Sequence, residues 1–265
     1  MISKKASKTQ EDNIFQLKNL NKFFGGDNPA PLDEIQAEHI KQYLTWRKDA
    51  PVAANREIAL LSHIWTMCGP SQWDYTDKPN PTKGVTRHKE KPRDIYIEDY
   101  LYEILYECAD QDLQDAMEIA YMIGQRPADT LKITTHHIRD GVLSIIQNKT
   151  QAKLRFAISE RLQSILDRRI INAKPYLFSH NNGKQIAVKT ISKRFHSARQ
   201  RAIDLHPELK KELLACQFRD LRAKSGTDAF LKSDSVESAQ KQLGHTSADM
   251  TRRYIRRDKI LTPLD

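Results

Sequence analysis

Residues 131–158, LKITTHHIRDGVLSIIQNKTQAKLRFAI, carry the strand-like character of this chain. They divide into three short runs rich in β-branched residues, Leu131–Ile138, Val142–Gln147 and Leu154–Ile158. Asp140-Gly141 separates the first two runs and is a turn signal, because glycine accepts positive φ without steric cost. The last two predict a hairpin whose loop, Asn148 to Lys153, holds Lys149 near its tip. On both sides of this stretch the apolar spacing is helical. The predicted class is therefore mainly α with a small antiparallel β-sheet, an α+β fold.

Before the sheet, Tyr96–Cys108 and Asp112–Ile123 predict paired helices, the second aligning Ala116, Ile119, Ala120 and Ile123 on one face. After it come Ser159–Ile171, Ala187–Ile203, Leu221–Leu231 and Glu237–Leu243. The N-terminal part predicts a separate bundle. Asn13–Phe24 sets Ile14, Leu17, Leu20 and Phe23 three apart, Ala37–Trp46 turns Ile40, Tyr43 and Leu44 inward, and Ala53–Met67 carries Ile58, Leu61, Ile64 and Trp65. Proline-bearing breaks at Asp27–Leu32 and Asp49–Pro51 divide these helices.

Residues 76–94, TDKPNPTKGVTRHKEKPRD, change character, with three prolines, one glycine, six Lys/Arg and no apolar period. They predict a basic linker. The expected division is a helical DNA-binding domain over 1–78, the linker over 79–94 and a mixed catalytic domain over 95–265. Lys83, Arg87, Lys89 and Lys91 of the linker are candidates to follow DNA phosphates.

Charge points to an anionic partner. The chain carries +9 with a pI near 9.3, and residues 1–94 hold 15 Lys+Arg against 12 Asp+Glu, so both parts lean positive. Cys68, Cys108 and Cys216 have neither metal-ligand spacing nor a disulfide framework, which suits a reducing compartment. No apolar run reaches the roughly 20 residues of a membrane helix, and the lysine-rich start is not a signal peptide, so a cytoplasmic protein is expected. His136-His137 lacks a third ligand at useful spacing. Neither a Walker loop, a Gly-x-Gly-x-x-Gly run nor a carboxylate cluster for paired magnesium ions is present. No metal or other cofactor is predicted.

Five side chains suit chemistry at a phosphodiester: Arg126 in GQRPADTLKI, Lys149 in QNKTQAKLRF, Arg222 in FRDLRAKSGTDAF, His245 in LGH and Tyr254 in MTRRYIRR. Attack at phosphorus gathers negative charge on two nonbridging oxygens, and a guanidinium donates two parallel hydrogen bonds to such oxygens. Arg126 and Arg222 are candidates for that role, with Asp129 placed to hold Arg126. Tyr254 has an oxygen nucleophile amid Arg252, Arg253, Arg256 and Arg257. An imidazole after Gly244 can donate to phosphate or handle a proton, and Lys149 can protonate a leaving oxygen. Alone, each residue suits an ordinary structural role. Helix ends attract arginine and surfaces carry lysine.

The order of these boxes resembles the tyrosine recombinase (phage integrase) family over nearly the whole chain. The resemblance implies a core-binding-like helical domain and a catalytic domain of that type. It implies a site-specific recombinase acting through a covalent 3′-phosphotyrosine, with Arg126, Lys149, Arg219, Arg222, His245 and Tyr254 as catalytic residues and Asp129 supporting. Double-stranded DNA at attachment sites, four protomers on DNA and accessory bending or directionality proteins are the implied partners, with integration or excision of a mobile element the implied outcome. In the family, histidine or lysine usually stands where this chain has Arg219, so Arg219 is expected to act only as a donor. Residues 1–10 are too few for an arm-binding module, and with only 11 residues after Tyr254 a docking tail would be short. Two other outcomes fit the same residues: a degenerate integrase that only binds DNA, and a type IB topoisomerase-like relaxase.

Overall fold

The computed structural model describes residues 4–26, 29 and 31–257, so part of the predicted Asp27–Leu32 break and the end of the tail lie outside the described residues. The chain forms two compact units, residues 1–93 and 94–265. The first holds α1 (Ser7–Phe24), α2 (Ala37–Trp46) and α3 (Pro51–Cys68). Pro51 starts α3 at its first helical position, where the missing N–H would have no partner anyway. Leu20, Ile40, Tyr43, Leu44, Ile58, Leu61 and Trp65 make its core.

A carboxylate sits inside that core. Glu57, 1% exposed, accepts two bonds from Arg47 (Nε and Nη2, both 2.9 Å), one from the Tyr43 hydroxyl at 2.7 Å and one from Asn19 at 2.7 Å. Burial alone would raise its pKa, but the bonds from Arg47, Tyr43 and Asn19 outweigh it and hold the carboxyl below its ordinary value.

The 79–94 stretch, expected as a tether, lies without helix or strand against its own unit as far as Glu90. The Trp65 indole donates to the Lys78 carbonyl at 3.0 Å, and Asn80 donates to Ser62 Oγ at 3.0 Å. Asn55 bonds both the N–H and the carbonyl of His88, at 3.1 and 2.8 Å, and Val85 packs on the core. Asn55 and Trp65 of α3 thus satisfy a backbone that has no regular ladder, a long-range pairing invisible to composition. Lys83, Arg87, Lys89 and Lys91 remain exposed.

The second unit is built on α5 (Gln111–Ile123), which buries Leu113, Ala116, Met117, Ile119, Ala120 and Ile123. Around its core stand α4 (Asp99–Glu107), α7 (Glu160–Ile170), α8 (Val188–Leu205), α9 (Lys210–Ala215) and α10 (Leu221–Ser233), and α11 (Val236–Leu243) and α12 (Ala248–Arg252) close the described chain. The sheet is a three-stranded antiparallel β1-β2-β3: Ile138–Arg139, Val142–Ile146 and Lys153–Ala157, with Leu143 facing Phe156 and Ile145 facing Leu154. Leu143 and Ile145 point into the core while Ser144 and Ile146 face out. Asp140 and Gly141 both have positive φ (50° and 72°), the backbone of a tight hairpin turn.

The first predicted strand is corrected. Leu131 ends α6 (Pro127–Leu131), Thr134 makes an isolated bridge with Tyr176, Thr135–His137 form a 3-10 turn, and only Ile138–Arg139 join the sheet. Pro127 at the first helical position starts α6, and the His137 ring accepts from the Thr134 N–H at 2.9 Å, which curls the chain before it can extend.

All three tryptophans lie in the first unit, so indole fluorescence reports its unfolding. Arg47→Met leaves Glu57 buried and unpaired and should destabilise that unit by about 3–5 kcal/mol. Arg56→Met breaks a surface pair with Glu90 and should cost under about 1 kcal/mol. Equal denaturation midpoints for the two variants would refute the assignment.

Candidate active site

Arg222 is the centre of the site, and it is 2% exposed. It leaves the first turn of α10 and donates to the Gly124 carbonyl at 2.7 Å, the Leu243 carbonyl at 2.8 Å and the His245 ring at 2.9 Å. Both carbonyls stand at helix C-termini, those of α5 and α11, each followed or ended by a left-handed glycine: Gly124 (φ 62°) and Gly244 (φ 63°). A helix end exposes carbonyls that have no partner within the helix, and here the guanidinium satisfies them. Its buried Nε has no hydrogen-bond partner among the described residues. Burial, then the nearby Arg126 charge, pushes the Arg222 pKa down to about 10, so the group stays cationic at neutral pH.

Both glycines are also sterically required. A Cβ on Gly124 would stand 2.7 Å from Ser225 Oγ, and one on Gly244 would stand 2.8 Å from both Gln147 Nε2 and a Leu154 methyl. Close approach of α5, α10 and the α11 end thus rests on absent side chains.

His245, 6% exposed, faces Arg222 with one nitrogen and Thr251 with the other, Nδ1 to Oγ1 at 3.1 Å. Arginine only donates, so Nε2 accepts and the ring hydrogen sits on Nδ1. Burial first, then the Arg222 and Arg126 charges, lowers its pKa to about 4. The imidazole is neutral at pH 7. Tyr254 packs its ring beside both groups, 4.9 Å from the His245 ring centre and 5.3 Å from the Arg222 guanidinium carbon. Its backbone is held by Thr227 of α10, whose hydroxyl donates to the Tyr254 carbonyl at 3.1 Å and accepts from the Arg256 N–H at 3.0 Å.

Arg126 caps α6 in extended conformation and donates to Gln147 Oε1 at 3.1 Å. Asp129, 1% exposed, is 3.9 Å from that guanidinium, at the limit of an ion pair. Its stronger bond is elsewhere: it accepts from the Asn148 N–H at 2.8 Å and so braces the hairpin loop. Arg219 is exposed and lines, with Arg126, Phe195, His196 and Arg199, an open cleft of about 620 Å³. Lys149 is exposed at the loop tip and makes no hydrogen bond or ion pair among the described residues. Thus Arg126, Arg222, His245 and Tyr254 come together, Asp129 supports from below, and Lys149 and Arg219 stand at the margin. The linker lysines and Arg87 belong to the other unit. Sequence reasoning passed over Gln147, Thr227 and Thr251, since a buried amide or hydroxyl has no sequence period of its own. No three His, Cys, Asp or Glu side chains come together as metal ligands among the described residues, and no described helix is long and apolar enough to cross a membrane.

Residues 97–260 match the model of the Phage integrase family, and the chain belongs to that family. It is similar to the integrase of Escherichia phage HK022, 29% identical over 189 residues, 66% of this chain and 50% of that one. The chain therefore spans about half the length of the curated relative it matches. Its fold resembles a lambda integrase fragment dimer bound to a COC′ core site (TM-score 0.78, 22% identity, 99% of this chain and 93% of that chain). A lambda integrase tetramer bound to a Holliday junction aligns at TM-score 0.78 with 21% identity, over 98% and 75%. The Tn1549 transposon integrase in complex with transposon right end DNA aligns at 0.77 with 16% identity, over 97% and 91%.

A depressed histidine makes stability rise with pH. Between about pH 4 and 6.5 the unfolded chain protonates His245 while the folded site does not, so stability is full above 6.5 and falls toward 4. His245→Asn should flatten that part of the melting-temperature profile of the second unit. An unchanged slope would show that His245 is not buried neutral.

Proposed function

We propose that this protein is a site-specific DNA recombinase that breaks and rejoins strands through a 3′-phosphotyrosine on Tyr254. The observation that carries the reading is Tyr254 packed against both the buried Arg222 guanidinium and the neutral His245 ring. Arg126 and Arg222 are assigned to the two nonbridging oxygens. The Tyr254 oxygen attacks phosphorus, the bond from phosphorus to the 5′ oxygen breaks, and Lys149 gives that oxygen its proton. The phenolic proton passes to water, because Arg222 already occupies the His245 Nε2 lone pair. Arg219, permanently charged, only donates to phosphate. Rejoining reverses the step with a 5′-hydroxyl from another strand. The phosphoester energy is conserved, which leaves no role for ATP or another cofactor.

The partners follow from the chemistry. Double-stranded DNA at attachment sites is the substrate, and exchange of two strand pairs calls for four protomers, as in the lambda integrase tetramer on a Holliday junction. Proteins that bend DNA or set direction are expected to assist, and integration or excision of a mobile element such as a prophage in the cytoplasm is the expected setting. Lys83, Arg87, Lys89 and Lys91 are assigned to DNA phosphates.

The test incubates the protein with supercoiled plasmid carrying DNA that flanks its gene, in excess EDTA, and stops the reaction with detergent. A protein–DNA adduct is expected, absent in Tyr254→Phe and reduced at least about 100-fold in Arg222→Ala. Arg219→Lys should keep most of the wild-type adduct. An adduct that persists in Tyr254→Phe would reject the nucleophile. Junction products between two marked duplexes separate recombination from relaxation.

A further inference from the structure

One buried side chain touches the loop of Lys149 and both arginine regions. Gln147, 0% exposed and directly after β2, uses every side-chain hydrogen-bonding position it has. Its amide nitrogen donates to Gln125 Oε1 at 2.6 Å and to the Leu243 carbonyl at 2.7 Å. Its oxygen accepts from Arg126 at 3.1 Å and from the Thr150 hydroxyl at 2.5 Å. The Leu243 carbonyl is also the one that accepts from Arg222, and Gln125 is the neighbour of Arg126. A single amide therefore ties the hairpin loop to the segment before α6 and to the end of α11.

The loop is also closed internally, by Gln147 N–H to Ala152 carbonyl at 2.9 Å and Gln151 N–H to Gln147 carbonyl at 3.0 Å. Lys149 itself is unheld, but both its neighbours are pinned. Asn148 donates its N–H to Asp129, and Thr150 donates its hydroxyl to Gln147. We propose that Gln147 is a positioning residue that sets the Lys149 loop against the two arginines, so that the leaving-group proton is delivered where the phosphate is clamped. The proposal rests on the phosphotyrosine reading above. In that step the Tyr254 oxygen–phosphorus bond forms, the bond from phosphorus to the 5′ oxygen breaks, and the proton moves from Lys149 Nζ to the 5′ oxygen. Gln147 neither gains nor loses a proton. Its amide has no charge to titrate, so it can hold two donors and two acceptors at once without disturbing the cationic site.

Sulfur at the leaving position gives the discriminating measurement. A thiolate leaves readily because a thiol has a pKa near 8.5, far below that of an alcohol, so it needs no proton from Lys149. With wild-type protein the cleavage position is mapped on the flanking DNA, and duplexes are made with the 5′ bridging oxygen there as oxygen or as sulfur. Gln147→Met and Thr150→Val are compared with wild type and Lys149→Ala, with melting temperatures recorded. Single-turnover adduct formation on the oxygen duplex should fall about 100-fold in Gln147→Met and less in Thr150→Val, the scale of a lost proton donor. Sulfur should restore all three variants to within about tenfold of wild type. If Gln147→Met stays as slow on sulfur, the residue acts through Arg126 or through folding, and the proposal is overturned. Thr150→Val keeps the arginine bond and the core intact, so a wild-type rate on the oxygen duplex in that folded variant overturns it too. Wild-type protein that forms no adduct on either duplex would instead defeat the phosphotyrosine reading itself.

Discussion

The structure of the second unit depends on how a buried guanidinium is satisfied. Arg222 is removed from water, and an unpaired cation there would be costly, so its surroundings have to supply acceptors. They come from two helix C-termini, where carbonyls are orphaned by the geometry of the helix itself. The two deficits cancel. For this to work, α5 and α11 must end close to α10, and glycine at 124 lets them do so, while glycine at 244 makes room for Gln147 and Leu154 of the hairpin. Packing, capping and charge burial are thus one arrangement.

That arrangement also sets the protonation of the site. Burial, and then the two arginines beside it, keep the His245 imidazole neutral, with its hydrogen on Nδ1 held by Thr251. A neutral ring accepts from Arg222 and so adds to its support, whereas a protonated ring would repel it. Tyr254 then docks on a surface that is cationic yet already ordered, its backbone fixed by Thr227 from the same helix as Arg222. Preorganisation of this kind is what charge development at phosphorus requires.

Much of this was legible in the residues. Apolar spacing located most of the helices within a few residues, including Ala37–Trp46 at its observed bounds, and β-branched runs located the hairpin with Lys149 in its loop. Where reading failed, long-range partners had decided. Leu131–Ile138 has strand-like composition, yet Pro127 starts a helix ahead of it and the Thr134–His137 turn takes the remainder. Residues 78–90 look like a tether by composition, yet Trp65 and Asn55 of α3 bond the backbone at Lys78 and His88, and the Asn80 side chain donates to Ser62. Asp129 lies beside Arg126 as expected, but its better bond is to the hairpin loop.

The sequence by itself determined most of the elements and which side chains could serve chemistry at a phosphate, because periodicity and the chemistry of arginine, histidine and tyrosine are local properties. It also determined where glycine had to stand, since both αL positions close a helix. Tertiary structure alone decided that Arg222 is buried, that His245 is neutral, and that Gln147 joins Asp129 in tying the hairpin loop to Arg126. Those outcomes depend on which carbonyls and amides meet across more than twenty positions of chain, and no spacing rule along the chain encodes a meeting in space.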